Sequence, residues 1–232
     1  MTSNYSSIPL YVIFGRVVAI WTLANIGYYL ILPSLGFSLS YNTSPFAIAL
    51  YFFLWICITI YFFWDIFLVE IKKNTSIWIE IFQSFALVCF YLTLVYFFSK
   101  LPALDKPLPP YPDLFFASAL YFLPKSVEIL VQQLLIAVMV LVLSSRFQNL
   151  KSIVLGFATT FGGAHIALYV LNNSAISYSI LMTLSAFLSS LIFPYLILRV
   201  QNGFIYSYLI HFLFYFLLAT FFHIFPPPGY LA

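Results

Sequence analysis

The chain alternates long apolar runs with short polar breaks. A helix needs about 20 apolar residues to cross a bilayer, and seven runs qualify. They cover residues 10–32, 46–69, 77–98, 114–144, 153–171, 178–198 and 204–224. The breaks hold residues that stop helices. The first, residues 38–45, is rich in Ser, Asn and Pro, and a short polar turn occupies residues 172–174. Pro226, Pro227 and Pro228 end the last run. The most polar stretch, SKLPALDKPLPPYPD at residues 99–113, holds five prolines and cannot form a regular helix.

The pattern predicts an all-α fold, a polytopic membrane bundle of about seven transmembrane helices. The proline-rich stretch divides it into an accessory three-helix part (residues 1–99), a surface linker (100–113) and a four-helix part (114–232). The fourth run is longer than a bilayer requires, so it is expected to tilt or kink. Pro124 is the expected kink, freeing backbone carbonyls just before Glu128.

Composition agrees. Of the 232 residues, 64% are hydrophobic and 6% charged, against about 25% charged in soluble domains. The mean hydropathy is +1.06. The net charge of +3 is a matter of topology and marks no nucleic-acid surface. Lys72, Lys73, Arg146, Lys151 and Arg199 follow the second, fourth and sixth runs, while Lys100 and Lys106 share the linker with Asp105 and Asp113. Positive charge inside a cell membrane then predicts a cytoplasmic N-terminus and an external C-terminus. The N-terminus has no basic leader, so the first run is expected to be retained as a helix. Arg16 can snorkel to the headgroups. Asp65, Glu70, Lys72 and Lys73 read as an interfacial cluster, and Glu80 suits the first turn of its helix. Cys57 and Cys89 stand apart, with no Cys or His at zinc-ligand spacing. No cofactor or metal is expected.

The chemistry concentrates at PKSVEILVQQ, residues 124–133. Glu128, Gln132 and Gln133 lie in an otherwise apolar helix. An ionisable group inside a membrane costs a few kcal/mol at the least, which makes it a functional candidate with a partner to be named. Glu128 and Gln132 share a helical face, as do Phe161 and His165, and His211 and Tyr215. At about 1.5 Å per residue, Glu128, His165 and His211 lie roughly 24, 20 and 12 Å from the inner ends of their helices. Allowing for tilt, they can share a layer about 10 Å thick, and neighbouring helix axes are about 8–10 Å apart. Each residue also has a structural reading. A lone membrane histidine often serves as an interhelical hydrogen bond, and Gly162–Gly163 fits close helix packing. Glu128 also fits a hydrogen-bonded structural carboxyl, and His223 an interfacial residue.

The order Glu…FxxxH…His on three of four consecutive helices resembles the CPBP family, which comprises CAAX prenyl proteases and bacteriocin-processing or immunity membrane proteins. The family pattern is EExxxR, then FxxxH, then HxxxN/D, and the resemblance covers residues 114–222. Phe161 and His165 match FxxxH, and His211 matches the last histidine. The paired acid is single here. In one register Glu128 is the first acid, with Ile129 in the place of the second and Gln133 in that of the arginine. In the other, Val127 stands for the first acid and Gln132 for the arginine. Tyr215 stands at the final Asn/Asp position.

The resemblance implies a metal-independent intramembrane endopeptidase. Glu128 would be general base, helped by His165; His211 and Tyr215 would donate to the oxyanion; Gln132, Gln133 and Phe161 would support them. Its partners would be the bilayer and a peptide or membrane-protein substrate. Three other readings compete. One is a non-catalytic protein on the same scaffold that binds a peptide or partner protein. The others are a haem protein with His165 and His211 as axial ligands, and a transporter.

Overall fold

A computed structural model describes residues 8–71, 77–102, 113–171 and 176–226. Lys72, Lys73, the linker through residue 112, the turn at 172–175 and the terminal prolines 227 and 228 lie outside the described residues, as do the side chains of Glu70 and Glu80. Among the described residues the protein is helical, without strands. Its helices are α1 (Leu10–Ser34), α2 (Pro45–Phe62), α3 (Trp64–Ile71), α4 (Ile77–Phe98), α5 (Phe122–Arg146), α6 (Leu150–Leu171), α7 (Ile176–Arg199) and α8 (Gly203–Ile224).

Five stretches among the described residues are long and apolar enough to cross a membrane: α1, α2, Ala119–Arg146, Ile180–Arg199 and α8. The sequence predicts seven. The other two predicted spans, α4 and α6, are helices of 22 residues each.

The spans are not equivalent. Over an 18-residue apolar segment of each span, 72% of the α5 stretch is buried inside the protein, against 22–28% in the other four. A helix apolar on all sides and covered on all sides is a core helix. α1, α2, α6, α7 and α8 all pack on α5. The parts before and after the proline-rich linker therefore share one core. α4 joins through its aromatic side chains: Phe98 meets Phe122 and Phe216, and Tyr91 meets Phe212.

Local departures from the expected helices have identifiable causes. α1 runs through Pro33 to Ser34 and widens into a π turn at Gly27–Ile31. The Tyr51 hydroxyl lies against Gly27, where a Cβ would collide with it, and donates to the Ala24 carbonyl at 2.7 Å. A side chain inserted into the helical ladder is a common source of such a turn. α5 does not begin near Leu114. Residues Asp113–Phe116 and Ala119–Tyr121 form short 3₁₀ turns, and α5 starts at Phe122. Pro124 consequently lies in the first turn, where proline is tolerated, and it is not the expected kink.

The two ends of the bundle are distinct. At one end the Arg146 guanidinium donates to the Ile8 carbonyl at 2.6 Å, which sets the residues just before α1 beside the α5–α6 loop. At the other, the α1–α2 loop folds over the start of α5. There Asn42 accepts from the Ser118 N–H at 2.7 Å and donates to the Asp113 carbonyl at 3.4 Å.

Gly203 opens α8 where the chain turns back from α7. Any Cβ there would strike the Leu196 backbone carbonyl, whereas one at Gly163 would meet nothing within 4 Å. Gly203→Ala is expected to cost about 1–3 kcal/mol of stability and Gly163→Ala close to none, measured by thermal unfolding in detergent. Equal effects would contradict this packing.

Candidate functional site

α5 places its polar groups on two adjacent faces. Glu128 lies nearly two turns after the helix begins. Its Oε2 accepts from Lys125 Nζ at 2.8 Å and from the Tyr41 hydroxyl at 2.8 Å; its Oε1 accepts from Gln132 Nε2 at 2.9 Å. Lys125 and Glu128 are both 8% exposed, a buried ion pair one turn apart on the same helix. The Lys125 ammonium also sits 4.0 Å from the centre of the Tyr215 ring and 5.7 Å from that of Tyr41. A desolvated cation over an aromatic face gains about 2 kcal/mol. Tyr41 arrives from the α1–α2 loop, 87 residues away in sequence. Burial pushes its phenol well above the ordinary range, and the Glu128 charge adds to that effect. Tyr41 therefore keeps its hydrogen and donates it.

Gln133, one residue past Gln132, turns to another face. It is fully buried. Its Nε2 donates to Ser207 Oγ at 2.6 Å, and its Oε1 lies 3.4 Å from His211 Nδ1. The two glutamines thus serve different partners: Gln132 holds Glu128, and Gln133 holds His211.

His165 and His211 line a single small cleft of about 30 Å³ between α6, α7 and α8. Phe161, Ser185, Ser189, Phe193 and Tyr215 are among its other walls. That volume admits a water or two. His165 Nδ1 donates to the Phe161 carbonyl at 2.8 Å, and the His211 and Tyr215 rings stack at 5.6 Å. Gly162 sits where the Phe187 ring of α7 closes on α6, and a Cβ would come within 2.7 Å of that ring. Gly163 has no such neighbour, so of the two glycines only Gly162 serves close packing.

Of the predicted site residues, Phe161, His165, His211 and Tyr215 come together. Glu128 and Gln132 form a separate cluster, and Glu128 is not among the residues lining the cleft. Tyr215 is the link, with its ring facing His211 and also Lys125. His223 lies apart, buried against Phe98 and bonded to the Ala219 carbonyl. Sequence reasoning passed over Lys125, although its i,i+3 spacing from Glu128 is a usable signal. Ser207, four residues before His211, had a similar signal. Tyr41 had none. Among the described residues no three His, Cys, Asp or Glu side chains gather in a way that could hold a metal ion.

Comparison with protein-family models, with curated proteins and with solved structures finds no match.

Removing one partner of a buried ion pair costs about 3–5 kcal/mol, because the other charge is left uncompensated. Lys125→Met and Glu128→Leu are each expected to destabilise on that scale. The double variant should lose much less than the sum, and Tyr41→Phe about 1 kcal/mol. Additive losses in thermal unfolding would show that the two charges do not interact.

Proposed function

We propose that the protein is a divergent CPBP-like membrane protein of seven spans, in a cell membrane, that binds a peptide segment or a partner membrane protein through its buried polar centre. The observation that carries this reading is the separation of Glu128 from the histidine cleft. Glu128 already accepts from an ammonium, a phenol and an amide. To activate a water in the cleft it would have to leave Lys125. At about 3–5 kcal/mol for breaking such a pair and tenfold per 1.36 kcal/mol, that lowers the reactive population by roughly two to four orders of magnitude. Binding carries no such penalty. A cleft with two imidazoles, a phenol and two serines offers polar contacts in an otherwise apolar interior, and a few placed polar groups are what fix the orientation of a ligand.

The second reading is the metal-independent endopeptidase, with Glu128 as base, His165 assisting, and His211 and Tyr215 facing the oxyanion. It is favoured by the shared cleft of His165, His211 and Tyr215, and by the Tyr215 ring reaching Lys125. The haem reading has less support: about 30 Å³ is far below the roughly 300–1,000 Å³ of ordinary cofactor pockets.

For topology, the supporting contact is Arg146 to Ile8. It sets Ile8 beside the α5–α6 connection, which Arg146 and Lys151 flank as the positive and hence cytoplasmic end.

The protein reconstituted with a single-span peptide carrying a central serine and a photocrosslinker should capture that peptide without cleaving it. His165→Ala with His211→Ala should reduce capture about tenfold or more. Cleavage that disappears in Glu128→Ala would replace the binding reading with the hydrolase. In intact cells, an N-terminal tag should resist external protease and a C-terminal tag should be removed. The reverse pattern would overturn the orientation.

A further inference from the structure

His165, Ser185 and His211, three polar walls of the cleft, each turn a hydrogen onto one of the protein's own acceptors, and the inference drawn from this rests on the binding reading above. The chain of bonds starts at the Phe204 carbonyl, which accepts the Ser207 hydroxyl at 2.8 Å. With that hydrogen committed, the Ser207 oxygen meets Gln133 as an acceptor, and Gln133 Nε2 donates to it at 2.6 Å. This sets the orientation of the amide, so Oε1 faces His211 Nδ1 at 3.4 Å, the long end of the hydrogen-bond range. An amide oxygen accepts only, so Nδ1 carries the hydrogen. Ser207 and Gln133 are both fully buried, which leaves no solvent to reverse the order. A neutral imidazole protonated at Nδ1 has a lone pair at Nε2.

Two other walls of the cleft follow the same rule. His165 Nδ1 donates to the Phe161 carbonyl, and the Ser185 hydroxyl donates to the Leu181 carbonyl at 2.8 Å. His211, His165 and Ser185 all line the cleft. To donate to an oxyanion placed there, His211 would need the opposite tautomer.

We propose that the Phe204–Ser207–Gln133–His211 chain presets His211 Nε2 as a hydrogen-bond acceptor, so that the group it meets is a donor, a hydroxyl or peptide N–H of the bound segment. Gln133 and Ser207 are positioning residues that act through His211.

The test is ¹⁵N-histidine NMR on the full chain in detergent, with the His211 signals assigned by their loss in His211→Asn. Wild-type His211 should be protonated at Nδ1 with Nε2 bare. Gln133→Leu and Ser207→Ala should each introduce the Nε2-protonated tautomer. Gln133→Glu, whose carboxylate also only accepts, should preserve the wild-type form. Methanol, which has a donor hydroxyl, should shift the Nε2 resonance, and acetonitrile, which has none, should not. Protonation of wild-type His211 at Nε2, or a tautomer unchanged in Gln133→Leu and Ser207→Ala, would overturn the preset. Equal shifts with the two solvents would overturn the donor class. The wild-type measurement needs no variant to fold. Peptide capture alongside the wrong tautomer would sink this inference alone and leave the binding reading standing.

Discussion

A pair of opposite charges on the most deeply covered helix governs the arrangement around it. Neither Lys125 nor Glu128 can remain in an apolar interior alone, since an unpaired buried charge is far more costly than a paired one. Their i,i+3 spacing lets one helix supply both charges. The remaining hydrogen-bonding capacity must come from elsewhere. Gln132 supplies part of it from the next turn, and the α1–α2 loop supplies Tyr41 from above. The loop is held over the start of α5 by Asn42, so its position and the satisfaction of Glu128 depend on each other.

The adjacent glutamines divide the polar interior. Successive residues on a helix point about 100° apart, so Gln132 and Gln133 look onto different neighbours. One side is a charged cluster closed by Tyr41; the other is a neutral hydrogen-bond chain ending in the imidazole of His211. Tyr215 stands between them and presents a ring to each. An architecture of this kind keeps ionic groups satisfied without placing a charge in the cleft. The binding reading proposed above rests on that division.

The helical bundle was legible because apolar runs of about 20 residues have few alternatives in a membrane. The start of α5 was not. Leu114, Phe115 and Phe116 are as apolar as the helix that follows, and hydropathy does not separate 3₁₀ turns from α-helix. Glu128 was legible as costly, and Lys125 was within reach of a spacing rule. Tyr41 was beyond any local pattern, because its contact spans 87 residues. The proline-rich break was legible as an interruption of the chain, but no sequence pattern says that α2 docks on α5 across it. His165 and His211 do line one cleft. Depth along a helix carries no information about azimuth, and Glu128 is not among the residues lining the cleft.

The central claim is that Glu128 is committed to Lys125 and Tyr41 and not to the histidines. Infrared difference spectroscopy, wild type against Glu128→Gln, isolates the carboxylate band of this one side chain. The account predicts that the band moves when Lys125→Met or Tyr41→Phe is introduced and stays in place in His165→Ala and His211→Ala. A band indifferent to Lys125 but displaced by loss of either histidine would contradict it.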